Sequence, residues 1–113
     1  MDSQELALEL DVHQAQQKLS ANESLLLLDC REPFEAEICQ LPDSLLIPIQ
    51  QTVSRVDELE PYRETPIIVY CHHGIRSLQV AHWLRGQGFL LAQSMTGGID
   101  AWSRQIDPSV PTY

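Results

Sequence analysis

Residues 67–77 read Ile67-Ile68-Val69-Tyr70-Cys71-His72-His73-Gly74-Ile75-Arg76-Ser77, and this stretch decides the fold. Its first four residues are β-branched or aromatic with no polar interruption, the pattern of a parallel strand buried on both faces. The strand runs without a spacer into a glycine-containing loop. From Ser77 onward, Leu78, Ala81 and Leu84 mark the buried stripe of a helix that ends near Gly86 or Gly88. Strand, tight loop and helix in succession form the unit from which α/β domains with parallel sheets are built.

Working outward, the same alternation covers most of the chain. Residues 7–10 predict a short first strand. Asp11 with Gln14 three residues on reads as a capping box, and Val12, Ala15 and Leu19 fall on one helical face. Asn22 is expected in the turn that follows. Residues 25–29 are an apolar strand closed by a charge, Asp29-Cys30-Arg31, with Pro33 suited to a first helical turn. Pro42 and Asp43 mark a turn and residues 45–47 a further short strand. Val53, Val56 and Leu59 repeat at three-residue spacing and predict a helix with Pro61 soon after its end. Residues 89–95 contain the last strand, Gly97-Gly98 a sharp break, and residues 99–103 a short helix before a proline-containing tail. The expected architecture is a single domain over residues 1–113, its motifs within 7–104 and a tail at 105–113. It has a central, mainly parallel five-stranded sheet flanked by helices on both faces.

Composition narrows the function. A chain of 113 residues, 43% hydrophobic and 20% charged, is the size and make-up of one soluble globular domain. Sixteen acidic against seven basic side chains give a formal charge of −9, which repels polyanions and leaves no nucleic-acid footprint. The longest purely apolar run, residues 67–71, is far too short to span a membrane, and residues 1–5 carry no export signal. Three cysteines in a reducing compartment are free thiols by default, so a cytoplasmic location is expected.

In parallel sheets, ligands gather beyond the carboxyl ends of the strands. Three such ends are expected to converge here, at Asp29, Cys71 and Thr96-Gly97. Cys71 is read as the nucleophile among them. A thiol reacts as thiolate, and its pKa falls beside a helix N-terminus, converging N–H groups or a cation. The loop is expected to curl so that amides of His72, His73, Gly74, Ile75, Arg76 and Ser77 face the sulfur, with Gly74 supplying a positive φ. A buried structural cysteine is the alternative, but polar His72, His73 and Arg76 directly behind it argue for chemistry.

With these residues in hand, the chain resembles a single-domain rhodanese, of the sulfurtransferase family. The resemblance covers nearly the whole chain and rests on three ordered motifs. They are Leu28-Asp29-Cys30-Arg31-Glu32-Pro33-Phe34-Glu35, Val69-Tyr70-Cys71-His72-His73-Gly74-Ile75-Arg76-Ser77 and Gly97-Gly98-Ile99-Asp100-Ala101-Trp102. It implies that Cys71 takes a sulfane sulfur from a donor such as thiosulfate, or a protein donor. The resulting persulfide passes its outer sulfur to cyanide, a thiol or a protein acceptor. It requires no metal or organic cofactor, and adjacent His72 and His73 lack partners at zinc-ligand spacing. Where many relatives have Gly-His-Ile-Pro-Gly-Ala, this chain has Cys39-Gln40-Leu41-Pro42-Asp43-Ser44, keeping only the proline.

Of the remaining residues, Arg76 is open between binding the donor's oxygens and bracing the loop. Asp29, Arg31 and Glu35 are expected to brace the active-site edge, with Arg31 within reach of an anionic donor. The rings of His72 and His73 are expected to face solvent. Cys30 is either a resolving thiol or a core residue, Cys39 has no evident partner, and both are assigned to structure. Trp83 and Trp102 are expected to pack helices. Two other functions compete with sulfur transfer by an enzyme. One is a carrier or partner-binding module, suggested by the negative charge. The other is phosphatase or arsenate-reductase chemistry on a related fold, which uses a loop one residue longer than the four that separate Cys71 from Arg76.

Overall fold

The computed structural model describes residues 6–21 and 24–113; Asn22 and the first five residues lie outside the described residues. Five strands, β1 (Glu9–Leu10), β2 (Leu26–Asp29), β3 (Leu45–Leu46), β4 (Ile67–Tyr70) and β5 (Ala92–Met95), form one sheet in the order β1-β5-β4-β2-β3. Every pairing is parallel, so the expected sheet is present. Successive strand residues face opposite sides, and that alternation divides the interior in two. Leu26, Leu28, Cys30, Ile67, Val69, Cys71 and Ala92 enter one core with Val80, Ala81 and Leu84. Leu27, Ile68, Tyr70 and Met95 enter the other with Leu10, Val12, Ala15 and Ile99.

Among the described residues, four α-helices cover these faces: α1 (Val12–Ser20), α2 (Pro33–Ile38), α3 (Ile75–Gly86) and α4 (Gly98–Gln105). The capping box of α1 forms in both directions. Asp11 Oδ1 accepts from the Gln14 amide at 2.8 Å, and Gln14 Oε1 accepts from the Asp11 amide at 2.9 Å. Pro33 opens α2, where its missing N–H costs nothing.

Two expected helices differ from the structure. Residues 56–62 form a 3-10 helix rather than an α-helix. A repeat of three is the period of the 3-10 form, and only Leu59 of the expected stripe is fully buried while Val53 is exposed. Helix α3 starts at Ile75, two residues earlier than expected, and its buried residues are Ser77, Val80, Ala81 and Leu84. Leu78 is therefore at the rim. The early start places Arg76 and Ser77 in the first turn of the helix, so the six-residue segment is a short turn joined to a helix N-terminus.

Candidate active site

Cys71 leaves the end of β4 with its side chain 1% exposed. Gly74 turns the chain at φ 105, a conformation that strains residues with a Cβ. A Cβ at Gly74 would also lie 3.1 Å from the Gly97 nitrogen. This turn brings two amides onto the sulfur: Gly74 N at 3.1 Å and Ser77 N at 3.3 Å from Sγ. Ser77 Oγ lies 3.5 Å from Sγ and 2.7 Å from Ser94 Oγ on β5.

The turn is clamped from the other strand end. Ile99 and Asp100, in the first turn of α4, donate their amides to the carbonyls of Cys71 at 2.9 Å and His72 at 3.1 Å. Gly97 and Gly98 both have positive φ. A Cβ on Gly98 would collide with those same two carbonyl oxygens, so the paired glycines are what admit the backbone to this distance.

The fourth neighbour of the sulfur is Cys30. The last ladder pair between β2 and β4 is Asp29 with Tyr70, so Cys30 and Cys71 are the next pair along, on the same face of the sheet. The Cys30 thiol donates to the Tyr70 carbonyl at 3.5 Å and shares one core with the Cys71 sulfur. These donors hold the Cys71 thiol at about 4, well below its ordinary value. Cys30 contributes most, burial opposes, and the Ser77 hydroxyl and the Ser77 and Gly74 amides add to the lowering. Hydrogen bonding to the charged form favours it. The same contact, together with burial, pushes the Cys30 thiol up, so it stays protonated as the donor. Thus Cys30, assigned to structure from sequence, is in the core and also against the sulfur.

A charged network borders this cradle. Arg31, fully buried, donates to Asp29 through Nε at 2.8 Å and Nη2 at 2.7 Å, and to the carbonyl of Cys39 at 2.8 Å. Arg76 donates to both oxygens of Glu35, at 2.7 and 3.0 Å, and holds that carboxyl at about 2. Asp29, Arg31 and Glu35, expected to brace the site's edge, are brought together here in one network with Arg76. Arg31 does not reach outward to an anionic donor, because its guanidinium is enclosed by the groups it pairs with.

The network closes through Tyr113, which the sequence did not single out. Its hydroxyl donates to Glu35 Oε2 at 2.7 Å and accepts from Arg31 Nη1 at 3.0 Å. Its ring stacks on His72 at 3.8 Å, and His72 stacks on His73 at the same separation. The His72 ring thus does not face solvent as expected. It is sandwiched, and burial pulls its pKa down, whereas His73 is exposed. The fold also supplies a neighbour that spacing did not suggest for these histidines, since donor atoms of His72, His73 and Asp100 lie within 4.8 Å of one another.

The altered segment 39–44 keeps its turn by other means. Asp43 takes φ 64, where short polar side chains are tolerated. Ser44 Oγ donates to the Leu41 carbonyl at 2.7 Å and lies 2.8 Å from the Tyr70 hydroxyl. Cys39 is buried in the opposite core, and Trp83 and Trp102 pack one against each core.

The family model for the rhodanese-like domain matches residues 11–105. The chain belongs to the rhodanese-like family. It is 34% identical over 102 residues to a protein of Allochromatium vinosum named Sulfurtransferase, a match covering 90% of this chain and 94% of that one. It is 44% identical over 91 residues to the Rhodanese-like/PpiC domain-containing protein 12, chloroplastic, of Arabidopsis thaliana. That match covers 77% of this chain but 30% of the plant protein. A crystal structure of a rhodanese-related protein from Thermoplasma volcanium superposes with a TM-score of 0.80 at 28% identity, covering 95% and 100% of the two chains. Sulfur transfer is thus the reaction type at family level. Among the described residues no helix is long and apolar enough to cross a membrane.

Proposed function

We propose that this rhodanese-like domain moves sulfane sulfur through a persulfide on Cys71. The observation that carries the reading is the Cys71 sulfur held by two backbone amides and a hydroxyl, with its thiol lowered to about 4, which favours a thiolate at neutral pH. The thiolate attacks the outer sulfur of a donor such as thiosulfate, and sulfite leaves with the bonding pair. The persulfide's outer sulfur then passes to cyanide, a thiol or a protein, which regenerates the thiolate. The loop amides stabilise negative charge in each state, as backbone donors do in oxyanion holes. Between cycles Cys71 must be a free thiolate, which fits a reducing compartment such as the cytoplasm.

Phosphoester hydrolysis fits less well. A turn with only four residues between Cys71 and Arg76 cradles a sulfur atom more readily than a tetrahedral phosphate. Arg76 is also bound bidentately to Glu35. Transfer to or from a protein is a second reading, favoured by the −9 charge, which disfavours thiosulfate at long range and steers basic partners.

The test is thiocyanate formation from thiosulfate and cyanide, run beside transfer from a protein persulfide. The expected result is turnover with at least one donor, lost in Cys71→Ser. Full activity in Cys71→Ser would overturn the assignment. Turnover with the protein persulfide alone would assign the domain to relay between proteins.

A further inference from the structure

A persulfide on Cys71 has a second thiol beside its inner sulfur. Leu28 pairs with Val69 and Asp29 with Tyr70, and the Cys30 amide donates to the Tyr70 carbonyl at 3.1 Å, so the parallel ladder continues to Cys30 and Cys71. Neighbouring strands lie about 4.7–4.9 Å apart, within the roughly 4.4–6.8 Å Cα separation that a disulfide spans. Both side chains enter the same core. They are 0% and 1% exposed, so neither has to turn out of solvent to meet the other.

Direction matters as much as distance, because a thiol displaces along the axis of the S–S bond it breaks. Cys30 stands on the β2 side of Cys71. The Ser77 hydroxyl is tied to Ser94 on β5, and β4 lies between β2 and β5. The attacking thiol and the Ser77 donor therefore flank the Cys71 sulfur from opposite sides of β4. An outer sulfur resting toward the Ser77 side would leave away from Cys30.

We propose that Cys30 is a resolving residue, whose sulfur attacks Cys71 Sγ in the persulfide, forms a Cys30–Cys71 disulfide and expels the outer sulfur as hydrosulfide. The inference rests on the persulfide reading above. The bond formed is Sγ–Sγ and the bond broken is Cys71 Sγ to outer sulfur. The leaving sulfur takes that electron pair and a proton from solvent, while Cys30, no longer facing a thiolate once the outer sulfur is bonded, gives its own proton to solvent and attacks as thiolate. The sulfane sulfur is reduced by two electrons to sulfide while the two cysteines are oxidised to the disulfide, so no outside oxidant is needed. A dithiol reductant restores both thiols. With cyanide in excess, the outer sulfur is intercepted before Cys30 attacks; with no acceptor, the domain releases sulfide. Side chains on parallel neighbours must draw together to reach the roughly 3.8 Å Cβ separation of a disulfide, which favours a bond that is readily reduced again.

The experiment loads wild type, Cys30→Ala and Cys30→Ser with thiosulfate, or with a protein persulfide, under anaerobic conditions and without cyanide. Intact mass and peptide mapping follow the cysteines while a bimane reagent traps sulfide. Wild type is expected to release stoichiometric sulfide and to end two hydrogens lighter, with Cys30 linked to Cys71 and Cys39 free. At least one Cys30 variant is expected to keep one added sulfur and release no sulfide. A wild type that keeps its sulfur with Cys30 free overturns the proposal and leaves the persulfide reading standing, as does equal sulfide release from a loaded Cys30 variant. If no protein takes up sulfur from either donor, the persulfide reading itself fails and takes the proposal with it.

Discussion

On the α3 side of Cys71, the groups that meet the sulfur are two amides and a hydroxyl. On the side of β2 and α2, two arginines, two carboxylates and a tyrosine meet one another. Arginine beside a nucleophilic cysteine invites the assignment of anion binding, yet Arg31 and Arg76 are both engaged by carboxylates. The groups that meet the sulfur are instead neutral dipoles, two amides and a hydroxyl. Dipoles fixed by the backbone need no counter-charge, and they keep their orientation whether the sulfur is thiolate or persulfide. The charged side holds the geometry in which those dipoles point.

If that division is right, removing a member of the charged side should cost stability first. Arg31→Ala leaves the Asp29 carboxylate buried without its partner, and a loss of about 3–5 kcal/mol is expected by chemical denaturation. Arg76→Ala should cost less, since Arg76 is 30% exposed and Glu35 retains the Tyr113 hydroxyl. Its mark should lie in acid. Glu35 is held at about 2 against an ordinary 4.5, so its contribution is present above pH 4.5 and lost as pH falls toward 2. Arg76→Ala should flatten that shoulder. An Arg76→Ala protein of unchanged stability and pH profile that no longer uses thiosulfate would make Arg76 a donor ligand and break the division.

The clamp joining the two glycines to the turn offers a sharper break. Gly98→Ala puts a methyl group against the Cys71 and His72 carbonyls at a positive φ, and about 1–3 kcal/mol of strain is expected from the backbone alone. Turnover should fall with it, because the turn carrying the Gly74 amide must shift. A stable, fully active Gly98→Ala would show that the cradle tolerates displacement.

Most of the frame was legible in the sequence because it depends on local pattern. The run 67–70 could only be a doubly buried strand, and Asp11 with Gln14 wrote its own cap. The 3-10 form at 56–62 is not legible in the sequence because a spacing of three serves both helical forms over so few turns. Contacts between distant segments left less trace. Cys30 meets Cys71 through a strand register that the sequence does not print, and Tyr113 reaches Glu35 across 78 residues from a tail with no periodicity. The burial of the His72 ring leaves no local trace because the ring that covers it comes from that tail.

Smaller effects refine the sulfur side. Ser77→Ala removes the hydroxyl but keeps the amide, so the Cys71 thiol should titrate above its value of about 4 without returning to the ordinary 9.0. Alkylation rate against pH reads this directly: wild type should react as thiolate down to about pH 4. The inflection should move up in Ser77→Ala and further in Cys30→Ala, whose thiol is the largest contributor. Tyr113→Phe should cost about 1 kcal/mol for its lost hydrogen bonds, with little change in that inflection.

The most direct test of Cys71 as the sulfur carrier is intact mass of Cys30→Ala after anaerobic exposure to thiosulfate or a protein persulfide. Resolution by the neighbouring thiol is blocked in that protein. The account predicts one added sulfur on Cys71, removed by cyanide and absent when Cys71→Ser is combined with Cys30→Ala. Uptake of sulfur that persists without Cys71 would contradict it.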